Sequence, residues 1–310
     1  FGIRADMQFG KFKISTVISQ KKSSSQSVNS KGGVQLTNYE FSADAYDENR
    51  HFFLAHFFRD KYNANMAQLP TITSGIKINR VEIWVTNKNG TTTNTRNLVA
   101  MADLGEHDYI GNPLWTPGAD VNPCNAANSL YSYLANELAA ARDISQATQT
   151  LDGFGLSGGV DYEKLENARL LNSSEYILNE ALGYISLKST LQTDQVLAVA
   201  YEYTYRGQNY QVGEFSTDRQ NNREALFVKA LRNTACTPKM PNWNLMMKNV
   251  YSLNASSIQK EKFRLDIKIL SDTTGVYISY IPEPALKSKK IIQLIGLDRL
   301  DNNNRRNPNG

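Results

Sequence analysis

Apolar and polar residues alternate along much of the chain, and this two-residue period predicts mostly β-strands. Near the start, the apolar positions share one parity from Ile3 to Phe9 and the opposite parity from Phe12 to Ile18. Weakly alternating segments of about ten residues are typical of strands in an outer-membrane barrel, and equally of any half-buried strand. The polar, serine-rich segment 20–33 then leads away from this strand-like region as a flexible exit.

A helix followed by a long hairpin is predicted between residues 47 and 104. Aromatic and aliphatic side chains recur at a spacing of four over residues 47–66, behind acidic and Asn residues that can cap a helix. Beyond this helix, apolar residues alternate on residues 76–85 with a change of phase at Arg80, as at a β-bulge. The turn sequence NKNG at 87–90 precedes a second alternating run, which predicts a hairpin with a long polar tip.

The middle of the chain is predicted to contain a loop, a helix and a second loop. Four turn-like units make residues 107–128 an irregular surface loop, and an apolar stripe predicts a helix from Ser129 to about Ala147. The glycine-rich sequence GFGLSGG at 153–159 lacks the Lys-Ser/Thr ending of a phosphate-binding loop. We therefore interpret it as a flexible loop.

From Gly183 onward the pattern is strongly β. It predicts a strand at 184–187 and a hairpin over 197–215, a short helix within 242–253, and further strands at 263–269, 276–282 and 290–297. A row of tyrosines, Tyr201, Tyr203 and Tyr205, shares one strand face. Such a row can stack on sugars, but on a sheet it more often belongs to a buried core, so we favour the core.

Composition places the chain among folded proteins. With 310 residues and 41% hydrophobic residues it can bury a sizeable core, which we expect to form two or three subdomains. Lys and Arg number 34 against 30 for Asp and Glu, and this mild excess makes nucleic acid an unexpected partner. No apolar run reaches the roughly 18 residues of a transmembrane helix. Because the chain starts within a strand-like pattern and without Met, we expect it to be an internal fragment.

These patterns together predict a mixed, β-rich α+β fold of antiparallel hairpins plus a few helices. The expected segments are a barrel-like strand with its exit, a helix-plus-hairpin unit, an irregular loop with a helix, and a β-rich subdomain, at 1–33, 34–106, 107–182 and 183–310.

The chain contains two cysteines, and the sequence does not determine whether they form a disulfide. Cys124 and Cys236 both lie in loop-like sequences that contain proline. A disulfide between them would close a long loop and stabilise the fold by roughly 3 to 5 kcal/mol. Two separate buried thiols are the equally weighted alternative, because sequence alone does not determine pairing.

Candidate catalytic chemistry is sparse. The three histidines are His51, His56 and His107; the first two are five residues apart and would face different sides of a helix. No serine-hydrolase or zinc-protease motif occurs, so we expect no catalytic residues, no cofactor and no enzymatic activity. A hydrolase would need carboxylates that converge in a cleft.

Metal binding has one weak candidate. Asp298, Asp301 and Asn303 lie in a polar turn whose oxygens suit calcium, although their spacing departs from that of an EF-hand. An ordinary loop is the favoured interpretation of this turn.

An ordered series of motifs over residues 46–106 resembles one known family. It comprises DENRHFF, FFRDKY, LPTITSGI, RVEIWVTN, TRN and ADLGE. In these motifs the chain is similar to the SprA/Sov proteins, the very large outer-membrane translocons of the Bacteroidetes type IX secretion system. Residues 1–20, 183–215, 242–253 and 291–301 resemble the same family, and residues 107–175 match it least.

The resemblance implies a function in protein transport without catalysis. In this family one chain forms an exceptionally large β-barrel, which exports folded cargo with C-terminal targeting domains and supports gliding motility. Partner proteins gate or plug that barrel. The fragment would then be a soluble, cap-like or pore-lining insertion attached to a barrel strand, and we expect it on the extracellular side because such barrels have long outer loops. The competing hypothesis is a cell-surface β-sandwich adhesin or glycan-binding module.

Overall fold

A computed structural model describes two compact units, which consist of Phe1–Ser42 and Ala43–Gly310. The described residues are 2–9, 12–19, 39–219, 221–253, 263–301 and 305–306. The chain therefore divides once, after Ser42, whereas boundaries at 33, 106 and 182 were expected. Strands from all three expected segments of the second unit pair in one sheet, which explains why it forms a single compact body.

The first unit contains a two-stranded antiparallel hairpin. Strand β1 (Gly2–Phe9) pairs with β2 (Phe12–Ser19) in an unbroken register from Gly2 opposite Ser19 to Phe9 opposite Phe12. The change of apolar parity between the two halves of this segment therefore coincides with a reversal of chain direction.

The second unit contains eleven strands and four short α-helices in its described residues. The strands are β3 (His51–Phe53), β4 (Ile76–Val85), β5 (Thr95–Met101), β6 (Tyr162–Leu170), β7 (Tyr176–Asn179), β8 (Tyr184–Leu187), β9 (Leu197–Tyr205), β10 (Gln208–Val212), β11 (Leu226–Arg232), β12 (Ile269–Leu270) and β13 (Tyr277–Ile278). The helices are α1 (His56–Asn65), α2 (Leu130–Asn136), α3 (Ile144–Gly153) and α4 (Ile291–Leu294).

Five of these strands close into a small barrel. Their order is β4, β9, β11, β5 and β6, and β6 returns to β4. Neighbouring strands are antiparallel except β5 and β11, which are parallel. Strand β10 extends β9 beyond the barrel as a hairpin, and β3, β8 and β7 form a separate sheet. The closed barrel differs from the β-sandwich of the adhesin hypothesis.

Alternation along the barrel strands separates two cores. One face of each strand fills the barrel interior, with Trp84, Leu98, Leu165, Ala198 and Val228 among the buried side chains, and Phe215 from the segment after β10 packs among them. The other face packs against the helices and the small sheet in a second, larger core. The barrel is consequently filled by its own side chains.

The predicted helix and hairpin are only partly correct. Helix α1 begins at His56 because the preceding residues form β3, where Phe52 pairs with Ile185 of β8. Strands β4 and β5 exist, but β6 lies between them and pairs with both, so the predicted hairpin is wrong. The bulge near Arg80 is confirmed by a register shift between β4 and β9.

The predicted helix from 129 to 147 is broken. Helix α2 ends at Asn136, a 3₁₀ turn covers Ala139–Arg142, and α3 starts after Asp143. The Asp143 carboxylate accepts a hydrogen bond from the Ser145 amide, and this cap starts a new helix. Residues 107–128 form an irregular loop as expected, but Trp115 within it is buried and not on the surface.

Predictions for the last third are confirmed at its start and mostly wrong at its end. Strand β8 and the β9–β10 hairpin are present, while a 3₁₀ turn at Pro241–Leu245 replaces the short helix. Residues 263–268 have no regular structure, and α4 lies within the strand predicted at 290–297. The strand predicted at 276–282 is present only as β13, which pairs with β12. Short apolar runs are ambiguous between helix and strand, and among the described residues from 263 onward only Ile291 is buried.

Tyr201 and Tyr203 belong to the core, as favoured from their sequence pattern. Their rings lie 5.9 and 5.2 Å from that of Phe58 on α1 and are fully buried. In the part of the chain that the structure describes, every helix is too short or too polar to span a lipid bilayer.

Candidate functional site

A groove of about 740 Å³ lies where α1, two loops and the β9–β10 turn meet. The loops are residues 105–109, a few residues after the end of β5, and residues 121–123. Aromatic rings and charged side chains line it together, including Phe57, Lys61, Tyr109, Tyr205, Arg206 and Tyr210. A concave surface with convergent polar groups is the best candidate for a binding site in this chain.

Glu106 lies at the floor of the groove in a buried cluster of charges. Its Oε1 is 2.8 Å from Lys229 Nζ and 3.1 Å from His56 Nδ1, and all three side chains are almost fully buried. The same oxygen accepts a hydrogen bond of 3.3 Å from the His56 amide at the start of α1. Glu106 therefore caps this helix although it is distant in sequence, and its negative charge interacts favourably with the positive end of the helix dipole.

The ionised form of Glu106 is strongly favoured. Burial by itself would raise the pKa of this carboxyl, but the charge of Lys229 and the close contacts with His56 and Lys229 outweigh burial and lower the pKa to about 2. The Lys229 ammonium also donates to the Leu104 carbonyl at 3.0 Å. The cluster thus ties the barrel strand β11 to the groove loop and to α1.

The imidazole of His56 is fixed on both sides. Its Nε2 lies 2.9 Å from the Pro241 carbonyl, which can only accept, so this nitrogen carries a hydrogen. The ring of Tyr109 stacks on the imidazole at a centroid distance of 4.2 Å. His56 is therefore a structural residue that supports the groove from beneath.

The loop that carries His107 and Tyr109 is held by buried polar side chains. The side-chain amide of Asn128 donates to the backbone carbonyls of Asp103 and Glu106 at 2.8 and 2.6 Å. The Asp103 carboxylate accepts from two loop amides, yet burial is the larger influence and raises the pKa of Asp103. This wall of the groove is consequently preorganised.

Charges at the rim of the groove differ in whether they have partners. Asp60 accepts a hydrogen bond of 2.7 Å from the Tyr109 hydroxyl, and Asp108 lies 2.6 Å from His107 Nδ1. Lys61 instead lies 4.8 Å from the centre of the Phe57 ring, without an acidic partner among the described residues. Arg206, which lies 5.1 Å from the Tyr205 ring, likewise has none there.

The family comparison covers the residues that line this groove. A family model described as a motility related/secretion protein, SprA_N, matches residues 1–210. The chain belongs to the SprA_N family. This confirms the family that the motifs of residues 46–106 indicated. No curated protein matches the chain.

All the groove-lining residues fall within the SprA_N match, since the last of them is Tyr210. Strand β11, which completes the barrel and carries Lys229, lies beyond the matched region. As a SprA_N member, the chain is a protein of motility or secretion.

A second buried charge cluster lies away from the groove, around Glu214. Its carboxylate is 2.7 Å from Arg142 and 2.9 Å from Arg219, and it accepts a hydrogen bond from the Tyr131 hydroxyl. Burial opposes the charged form, but Arg142 and the amide of Phe227 lower the pKa of Glu214. Both carboxylate oxygens of Glu214 accept hydrogen bonds. The cluster therefore joins the α2–α3 region to the barrel.

The three histidines occupy different environments. His51 lies on β3, where its ring nitrogens are 2.8 Å from the Ser186 hydroxyl oxygen and 3.2 Å from an Asp47 carboxylate oxygen. His56 is buried at the start of α1, and His107 is in the groove loop. His51 is therefore on a strand and not on the helix where the sequence pattern had placed it.

Both cysteines are free thiols, so the disulfide that one interpretation predicted is not formed in this structure. Cys124 Sγ lies 3.7 Å from an Asp120 carboxylate oxygen. Burial raises the pKa of both Cys124 and Cys236, which favours the protonated thiol. Of the two alternatives left open above, separate thiols fit the structure.

The weak calcium candidate is not assembled by the residues that can be described. Asn303 lies outside the described residues. The Asp301 carboxylate accepts a hydrogen bond of 2.8 Å from the Arg305 amide, as in an ordinary polar turn. Across the described ranges, no three His, Cys, Asp or Glu residues are grouped to hold a metal ion.

The Glu106 cluster was not predicted from the sequence. Its three members are far apart in the chain, and their association depends on barrel closure. A usable signal was present in β11, because Lys229 shares the strand face of the apolar residues Phe227 and Leu231. A single charge on an apolar face indicates a buried ion pair.

Proposed function

We propose that this chain is part of an outer-membrane, protein-conducting translocon of the type IX secretion system. The SprA_N match to residues 1–210 carries the proposal. The ordered motifs of residues 46–106, which resemble SprA/Sov translocons, support the specific role. In that role the parent protein exports folded cargo with C-terminal targeting domains and supports gliding motility.

We propose further that the second unit acts as a cap or as part of the pore lining. Its five-stranded barrel is filled by side chains such as Trp84 and Phe215, so this small barrel suits a solid body better than a conduit. The hairpin β1–β2 has the strand length and alternation of an outer-membrane barrel segment. It would attach this chain to the large parent barrel. Separate partner proteins would gate or plug the pore of that barrel.

The proposed location is the extracellular side of the outer membrane. Outer-membrane barrels have short periplasmic turns and longer extracellular loops, so an insertion of this size fits the outer face. We also propose that the unit works without catalysis. Its buried carboxylates support this role, because Glu106 and Glu214 are engaged by basic side chains that hold the fold together.

The location can be tested by labelling a cysteine on living cells. Val121 is 61% exposed in the groove loop, so Val121→Cys would present a reactive thiol. The parent protein would carry Cys236→Ser, which removes the more accessible native thiol. A membrane-impermeant maleimide should label Val121→Cys equally on intact and on lysed cells.

Two controls define the outcome. Ala127→Cys, at a fully buried position nearby, should react only after denaturation. Labelling of Val121→Cys that requires lysis would contradict the extracellular position. The translocon role itself predicts that cells depleted of the parent protein retain cargo in the periplasm, and undiminished secretion by such cells would contradict it.

A further inference from the structure

Strand β10 borders the groove through Gln208 and Tyr210, and its outer edge has backbone groups available for another strand. Tyr205 and Gln208 are the closing pair of a two-residue turn, in which Arg206 and Gly207 have φ of 50° and 80°. Such a turn makes its closing residues a hydrogen-bonded pair, and bonding then alternates along the hairpin. The backbone groups of Asn209 and Gln211 consequently point away from β9.

The backbone of Gln211 is already hydrogen-bonded within the protein. The Gln211 carbonyl accepts a hydrogen bond of 2.8 Å from the Asn125 amide, which agrees with the alternation deduced from the turn. The backbone of Asn209 has no such partner in the described part of the chain, and Asn209 is exposed. The edge is therefore closed at Gln211 and open at Asn209, which lies between the groove-lining residues Gln208 and Tyr210.

Two cations of the groove that have no acidic partner among the described residues lie at the Tyr205 end of this hairpin. Lys61 Nζ is 5.7 Å from the Tyr205 ring, and the Arg206 guanidinium is 5.1 Å from the same ring. Three acidic residues also line the groove: Glu106 is paired with Lys229, Asp60 accepts a hydrogen bond from the Tyr109 hydroxyl, and Asp108 contacts His107. A carboxylate brought in by a ligand would meet Lys61 and Arg206.

We infer that this groove binds an extended segment of a partner protein, which adds a strand to β10 and places an acidic side chain between Lys61 and Arg206. Main-chain hydrogen bonds to an open sheet edge provide affinity in this mode, and side-chain pockets provide specificity. The aromatic rings of Phe57 and Tyr210 offer apolar contact to neighbouring side chains of the segment. This inference concerns binding alone and does not depend on the proposed secretion function.

Three eight-residue peptides with a fluorescent label test the inference on the full chain. The acidic peptide alternates Glu with Val and Tyr, the basic peptide has Lys in place of Glu, and the third has Pro at two central positions of the acidic peptide. We expect the acidic peptide to bind at least about tenfold more tightly than either of the others, because only it combines charge with a strand backbone.

Matched variants locate the binding. Lys61→Met with Arg206→Gln should weaken binding of the acidic peptide by about tenfold or more. Lys239→Met with Arg223→Gln makes the same changes at exposed residues outside the groove and should alter binding less than about twofold. Equal losses in both double variants would indicate nonspecific charge attraction and overturn the inference.

Cross-linking provides a measurement that does not depend on any variant. A photoreactive group at the centre of the acidic peptide should attach to the unmodified chain at residues 205–211 or on α1. Attachment elsewhere, equal binding of all three peptides, or no binding at millimolar concentration would overturn the inference. So would a self-associated dimer that covers the groove, since the occupant would then be a second copy.

Discussion

Glu106→Gln should strongly destabilise the fold, although glutamine has nearly the same shape as glutamate. The substitution removes the negative charge opposite Lys229, whose ammonium is 2.8 Å away and fully buried. Breaking a buried ion pair by removing one partner leaves an uncompensated charge and typically costs about 3 to 5 kcal/mol. It also removes the carboxylate from the start of α1.

The pKa of Glu106 gives an independent magnitude. The folded protein lowers this pKa from an ordinary value of 4.5 to about 2. At about 1.4 kcal/mol for each pH unit, the ionised carboxylate contributes on the order of 3 kcal/mol of stability. Both routes therefore predict a loss of about 3 kcal/mol in the free energy of unfolding at pH 7.

The pH dependence follows from the direction of the shift. Because the folded state lowers the pKa, the stabilisation is fully present above pH 4.5 and is lost as the pH falls toward about 2. Urea unfolding, followed by tryptophan fluorescence, should show the original chain and the Glu106→Gln variant converging over this range. The unfolding free energy of the Glu106→Gln variant should therefore fall less than that of the original chain as the pH decreases from 4.5 to about 2.

Glu137→Gln is the matched control, because Glu137 is exposed and has no ion pair among the described residues. Its unfolding free energy should stay within about 0.5 kcal/mol of the original. A change below about 1 kcal/mol for Glu106→Gln at pH 7, or a difference that stays constant down to pH 2, would show that the Glu106–Lys229 ion pair does not stabilise the fold in this way.

Further predictions concern packing and thiols. Gly183→Ala should lower the unfolding free energy by about 2 to 4 kcal/mol in urea titrations, since φ is +65° and its Cβ would lie 2.4 Å from a phenylalanine ring atom. Gly207→Ala, with φ +80° and open space, should lose only about 1 kcal/mol; equal losses would contradict the packing argument. Tyr203→Phe should be neutral or stabilise by up to about 1 kcal/mol, because the buried hydroxyl has no hydrogen-bond partner among the described residues; a loss above about 1 kcal/mol would count against this. Cys124 and Cys236 should both react with a thiol reagent in denaturant without reductant, and a single or absent adduct would contradict free thiols.

Local pattern was sufficient to predict the individual strands of the barrel. Strand β9 alternates between the two cores, and its hairpin with β10 is signalled by a two-residue turn. Barrel closure was not predictable from such patterns. It depends on the parallel pairing of β5 with β11, which are more than a hundred residues apart, and on the insertion of β6 beside β5.

The candidate site was less predictable than the strands. The aromatic face of α1 was visible, as was the turn that contains Arg206. Periodicity does not state which charged residues meet after folding, so Glu106 was recognised only as part of a family motif. Its pairing with Lys229 became evident once β11 was placed in the barrel.

We propose that the second unit of this chain is a filled body in a large secretion translocon. A structure of the full-length parent protein, purified in detergent with its partners, tests this proposal most directly. We expect the small five-stranded barrel to lie at the outer mouth or on the wall of a much larger β-barrel, with β1–β2 joined to that barrel. A parent without a large barrel, or with this unit remote from any pore, would contradict the proposal.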